Sequence, residues 1–139
     1  MAMTAQGPAL AGPFASEAAD LSGKEGYACK ISGAAGSEVV TLAVVADANA
    51  IGTGVGVITS IAGSFSDGTQ TATVQFNGVA YVQAGDEAIS AGHPLAPKAD
   101  SSWIPATNPN YATAFALQGG AAGDLILASV LGVSGVLIP

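Results

Sequence analysis

Asn77-Gly78 is the most constraining pair of residues in the chain, because it stands between two short apolar–polar alternations, 71–76 and 79–83. Asn-Gly is favoured in the two-residue turn whose positive φ angles match the twist of an antiparallel pair. That arrangement predicts a β-hairpin. Placing Phe76 opposite Val79 and Val74 opposite Tyr81 puts Ala72, Val74, Phe76, Val79 and Tyr81 on one face. The other face then carries Thr71, Thr73, Gln75, Ala80 and Val82, so one side reads as core and the other as nearly polar.

The same grammar extends in both directions. Short runs at 27–31, 39–46, 55–61, 87–89, 94–97, 103–105, 113–117, 125–131 and 135–138 read as strands, separated by Gly, Asn and Pro turns. With 19 Gly and 7 Pro in 139 residues, no long helix is expected. The fold predicted is all-β, a small β-barrel or a tulip-like or sandwich domain. Residues 1–24 are different: Gly7, Pro8, Gly12 and Pro13 interrupt a block with no sustained period. They read as an extended N-terminal arm, ordered only by packing on something else, ahead of a single β-rich domain over 25–139. A short helix at 15–21, capped by Ser16, is the alternative for the arm. The runs 39–46 and 125–131 are apolar on both faces, yet no crossover helices exist to cover a second face. Either these strands lie between two layers, or their outer faces meet other subunits.

Charge removes whole classes of function. Three basic residues (Lys24, Lys30 and Lys98) stand against ten acidic ones, a net charge of −7. Such a chain has no basic face for phosphates, which argues against nucleic acid as a partner. The uncharged stretch 48–66 is as long as a membrane span, but Gly52, Gly54, Gly56 and Gly63 make it too soft for a spanning helix. No membrane partner is expected. Residues 1–14 lack the basic start and continuous apolar core of a signal peptide, so synthesis in the cytoplasm is expected.

Catalytic chemistry finds little material. Cys29 is the only cysteine and sits in an apolar run, as a small buried hydrophobe does. His93 is the only histidine, in a turn before Pro94, and no Gly-x-Ser-x-Gly elbow accompanies it. Asp86 and Glu87 are adjacent, so on a strand they would point to opposite faces and share no proton. Gly52-x-Gly54-x-Gly56 runs into Val57, Ile58 and Thr59 rather than a helix, so it reads as a bend or close packing and not a phosphate cradle. No ligand spacing supports a metal site, oxygen ligation of calcium by loop aspartates being the alternative. No cofactor is expected, and the chain reads as a non-enzyme. Residues 84–95 are similar to the turn–strand–turn of biotinyl and lipoyl carrier domains. Lys98 lies outside the place of their modified lysine, so the swinging-arm function does not carry over.

Taken in order, the chain resembles the small bacteriophage capsid decoration (cement, or head-stabilisation) proteins. The resemblance runs from Leu21-Ser22-Gly23-Lys24-Glu25-Gly26-Tyr27 through the Val-rich 39–46, Ile51-Gly52 and the 75–82 segment. It continues through Gly85-Asp86, Gly92-His93-Pro94-Leu95 and the turn before Trp103. Its most specific part is Ala116-Leu117, a small-residue bridge, then Gly123-Asp124 and an apolar strand; Ala114 stands where the family usually has glycine. The resemblance implies a β-rich domain that trimerises on the exterior of a capsid and reinforces it. It implies no enzymatic activity and two partners, the major capsid protein and further copies of this chain. On that footing the arm is expected to touch the shell or a neighbour through Pro8, Leu10, Pro13, Phe14 and Leu21. The alternative is a phage surface fibre or a receptor- or glycan-binding module, using exposed aromatics at Trp103 and Tyr111, although Trp103 also suits the end of a packed core.

Overall fold

A computed structural model describes residues 10–16, 19–50, 53–107, 110–131 and 136–137. The fold is all-β, built on two main sheets. The first contains β1 (Leu10–Ser16), β2 (Ala28–Ser32), β3 (Val39–Leu42), β4 (Gly56–Ala62) and β5 (Thr71–Gln75). Its pairing runs β1-β3-β2-β4-β5 and returns to β1. The second has the order β6-β11-β10-β7-β8, from β6 (Gly78–Gln83), β7 (Pro94–Pro97), β8 (Trp103–Pro105), β10 (Ala114–Ala116) and β11 (Leu125–Val130). A small pair joins β9 (Tyr111–Ala112) to β12 (Val136–Leu137).

The expected hairpin does not form. Both of its strands exist, but β5 pairs with β4 and β1 whereas β6 pairs with β11. The physical reason is competition for an edge. Since β1 takes the side of β5 that β6 would have used, the chain leaves the first sheet after Gln75 and enters the second. Gln75, buried, holds this crossover: its Nε2 donates to the carbonyls of Asn77 and Val79, each at 2.8 Å. Consequently β6 presents its other face. Ala80 and Val82 are buried, while Val79 and Tyr81 point outward.

The arm is also folded in from Leu10 onward. Phe14 and Leu21 belong to the cluster enclosed by the first sheet, with Cys29, Val40, Ile58, Ala72 and Val74. Leu21 is 1% exposed, and its N–H donates to the buried Gln70 Oε1 at 2.9 Å. The Gln70 Nε2 in turn donates to Asp20 Oδ1 and Ser22 Oγ, so one amide holds the whole turn. Residues without periodicity became a strand and a core plug because β5 and β3 offered them backbone partners.

The run 39–46 is a strand only as far as Leu42. A short helix, α1 (Val45–Asn49), follows where none was expected. Asp47 explains it, accepting the Val44 N–H at 2.9 Å and the Lys30 ammonium at 2.6 Å. In the glycine string, a side chain at Gly56 would lie 2.7 Å from the Gln75 carbonyl and 2.8 Å from the Phe76 ring, so close packing is its role. The segment 87–89 contributes only the isolated bridge between Ile89 and Gly120.

The two sheets share one apolar layer. Ala28, Val55 and Val57 meet Val82, Leu95, Trp103, Ile126 and Ala128 there. Gly26 ties the layer together. Its N–H donates to the Ile58 carbonyl at 2.7 Å, and its carbonyl accepts the Gln83 N–H at 2.9 Å and the Trp103 Nε1–H at 3.1 Å. The residue adopts φ +84°, and a Cβ there would meet the Gln83 nitrogen at 3.0 Å.

Replacing Gly26 with Ala therefore adds left-handed strain and a backbone contact, with an expected cost of about 1–3 kcal/mol in urea denaturation. Truncating Leu21 to Ala should cost about 2–4 kcal/mol by the same measurement, because it empties part of an enclosed cluster. A merely tethered arm would leave stability unchanged.

Candidate functional site: an apolar outer face and its bordering groove

The register of the second sheet defines the site. Val82 pairs with Ile126 and Ala80 with Ala128, and these four side chains are buried. Alternation then turns Val79, Tyr81, Leu125, Leu127 and Ser129 to the other side. On β10, Phe115 lies opposite Ser129, and the Leu117 N–H donates to the Leu127 carbonyl just beyond the strand end. The outcome is a continuous apolar patch of Val79, Tyr81, Phe115, Leu117, Leu125 and Leu127. Tyr81 is 62% exposed and Leu125 55% exposed. The three strands carry no charged residue.

A groove of about 370 Å³ borders the patch where β4 and β6 diverge. Ile58, Thr59 and Gln75 form one wall, Val79, Tyr81 and Leu125 the other, and Glu25 lies at the rim. The backbone of Tyr81 faces this opening: the Gln83 N–H and the Val79 carbonyl, two residues either side, point away from β11 to Gly26 and Gln75.

Of the residues expected in a contact arm, Leu10 and Pro13 are exposed, whereas Phe14 and Leu21 are committed to the core. Pro8 lies outside the described residues. The structure does not bring the four described residues together as one surface. Trp103 is fully buried, which removes it as an exposed aromatic for a glycan. Tyr111 is half-buried and its N–H donates to Asn49 Oδ1 at 2.8 Å. The most exposed aromatic that the sequence reading missed is Tyr81, turned inward by the hairpin assumption. The signal available for the patch was the two-sided apolar character of 125–131. Its outer face is open among the described residues, so 125–131 does not lie between two layers.

The reactive side chains are engaged elsewhere. Burial pushes the Cys29 thiol up to about 12, so it carries almost no thiolate near neutral pH. His93 Nδ1 accepts the Ser90 N–H at 3.2 Å within its own turn. Asp86 pairs with Lys98 at 2.8 Å. Among the described residues no group of three His, Cys, Asp or Glu could hold a metal ion. No helix among them is long and apolar enough to cross a membrane. Loop carboxylates serve as turn anchors instead. Asp20, Asp67 and Asp100 each accept both the backbone N–H and the hydroxyl of the residue two positions on, Ser22, Thr69 and Ser102. The hydroxyl bond is the main cause holding each below the ordinary aspartate value.

Comparison with known proteins finds no family model, no curated protein and no solved structure that matches the chain.

The anchored aspartates set the acid behaviour. A carboxylate whose native value is depressed adds stability above its unfolded value of 3.8, and that stability is lost as pH falls through the lower native value. Relief of the −7 charge acts in the opposite direction. The expected result is a shallow fall in the urea midpoint below about pH 4. The limb should be flatter in a variant carrying Asp67→Asn and Asp100→Asn.

Proposed function

We propose that the chain is a structural virion protein that binds the outer surface of a bacteriophage capsid as an oligomer and stabilises the shell. Its partners on this reading are the major capsid protein and other copies of itself. The trimeric state and the exterior location come from the family resemblance, and the reading takes synthesis to be in the host cytoplasm. The reading involves neither catalysis nor a cofactor.

The observation that carries it is the uncharged apolar face of β6, β11 and β10. A chain of net charge −7 repels its own copies over most of its surface. On this face two copies approach without bringing carboxylates together, and aromatic and branched side chains supply the burial. Contacts repeated around a symmetry axis on a lattice gain from avidity even where each is weak. Leu10 and Pro13, exposed at the start of β1, remain available for contact with the shell or a neighbour.

A phage surface fibre or a receptor- or glycan-binding module is the second reading. Its support is the exposed Tyr81 ring beside a groove. Co-sedimentation of the purified chain with capsids lacking it separates the two. Saturable, near-stoichiometric binding that raises capsid melting is expected. Absence of binding, together with retention on a glycan surface, would overturn the decoration reading. Phe115→Ser with Leu117→Lys is expected to leave the monomer's melting temperature nearly unchanged while weakening self-association at least about tenfold in sedimentation velocity.

A further inference from the structure

The apolar face suits a second copy of this chain, but the groove beside it does not, and the reason is charge. Glu25 stands at the rim and makes no ion pair among the described residues. In a second copy each lysine already has a contact within its own chain. Lys24 lies 4.4 Å from the centre of the Tyr27 ring. Lys30 is bound to Asp47 at 2.6 Å, and Lys98 to Asp86 at 2.8 Å. His93 has its Nδ1 occupied by the Ser90 N–H.

The lining is also poor in hydrogen-bond donors. Gln75 directs its amide nitrogen to two backbone carbonyls, and the Thr59 hydroxyl donates to the Thr73 carbonyl. What remains is the Tyr81 ring with its hydroxyl and backbone N–H, a carboxylate and the apolar surfaces of Val79 and Leu125. A sugar needs donors and acceptors on several sides of its ring, and one tyrosine supplies few of them. A long cationic side chain needs an apolar track for its stem, a ring face and an anion for its head.

We infer that the groove between β4 and β6 binds an arginine or lysine side chain of a different protein. The stem lies over Val79 and Leu125, and the charged head lies between the Tyr81 ring and the Glu25 carboxylate. Resting on the function proposed above, that protein is the capsid subunit. The molecule then has two adjoining contact surfaces that share Val79, Tyr81 and Leu125, an uncharged one for its own copies and an acidic, aromatic one for the shell.

The groove can be tested without capsids. Acetyl-Leu-Arg-Leu-amide and acetyl-Leu-Gln-Leu-amide are titrated into the full isotope-labelled chain and followed by amide NMR shifts. The arginine peptide is expected to move Gly26, Tyr81 and Leu125 and to bind about three- to tenfold tighter than the glutamine peptide. Glu25→Gln, a change at an exposed position, should abolish that advantage, and added salt should reduce it. Equal binding of both peptides, shifts confined to other surfaces, or no shift at millimolar peptide overturns the inference. Co-sedimentation with capsids is read separately. If wild type fails to bind capsids while the arginine preference persists, the decoration reading falls and the groove stands. If wild type and Glu25→Gln bind capsids equally, the shell contact lies elsewhere.

Discussion

One residue, Gly26, joins the two sheets through the peptide units on either side of it. The Gly26 carbonyl receives both the Gln83 N–H of β6 and the Trp103 indole N–H of β8, while the Gly26 N–H reaches Ile58 in β4. Bonds made at the buried seam between two layers have no water to replace them, so losing one leaves a polar group unsatisfied at a cost of about 1–3 kcal/mol. The arrangement also fixes where Trp103, the largest buried side chain, can sit. Val57 and Ile126 reach the same apolar layer from opposite sheets, and their contact depends on that spacing. Only a residue without Cβ accommodates the positive φ and the approach of Gln83 at this point.

Much of the strand inventory was legible in the sequence. β2, β4, β7, β8, β10 and β11 lie within a residue or two of the runs that predicted them, because Gly and Pro punctuate short apolar segments. Pairing was less legible. Asn77-Gly78 has the composition of a tight hairpin, but local turn preference is a small energy beside a full ladder with β1. Nothing in residues 10–16 shows alternation, so the competitor that displaced β6 left no local signature. The inverted face of β6 follows from that one omission. In Gly78–Gln83 both alternating sets are apolar, so pattern alone could not choose between them. The small helix α1 was hidden for another reason, since its determinant is the long-range contact of Asp47 with Lys30.

The candidate surface illustrates a division of labour between the faces of one sheet. Inward positions of β10 and β11 are largely alanine, which leaves room in the shared layer for Trp103 of β8 and Val57 of the first sheet. Outward positions hold the bulky residues, Phe115, Leu125 and Leu127. That is the reverse of a solvent-facing sheet, whose large apolar side chains point into the core. The sequence recorded this as apolarity on both faces of 125–131. Only the register showed which set faced out.

The cyclic pairing of the first sheet has a consequence for behaviour at high concentration. Each of its five strands has a neighbour on both sides, and the outer edge of β6 is interrupted by the Gln75 side chain at one end and Gly26 at the other. Edge-to-edge addition of further chains, the usual route from soluble β proteins to open-ended fibrils, finds no long unprotected strand there. The open apolar surface lies instead on the flat of the second sheet, where on the proposed reading a contact repeated about an axis can close and stop growing.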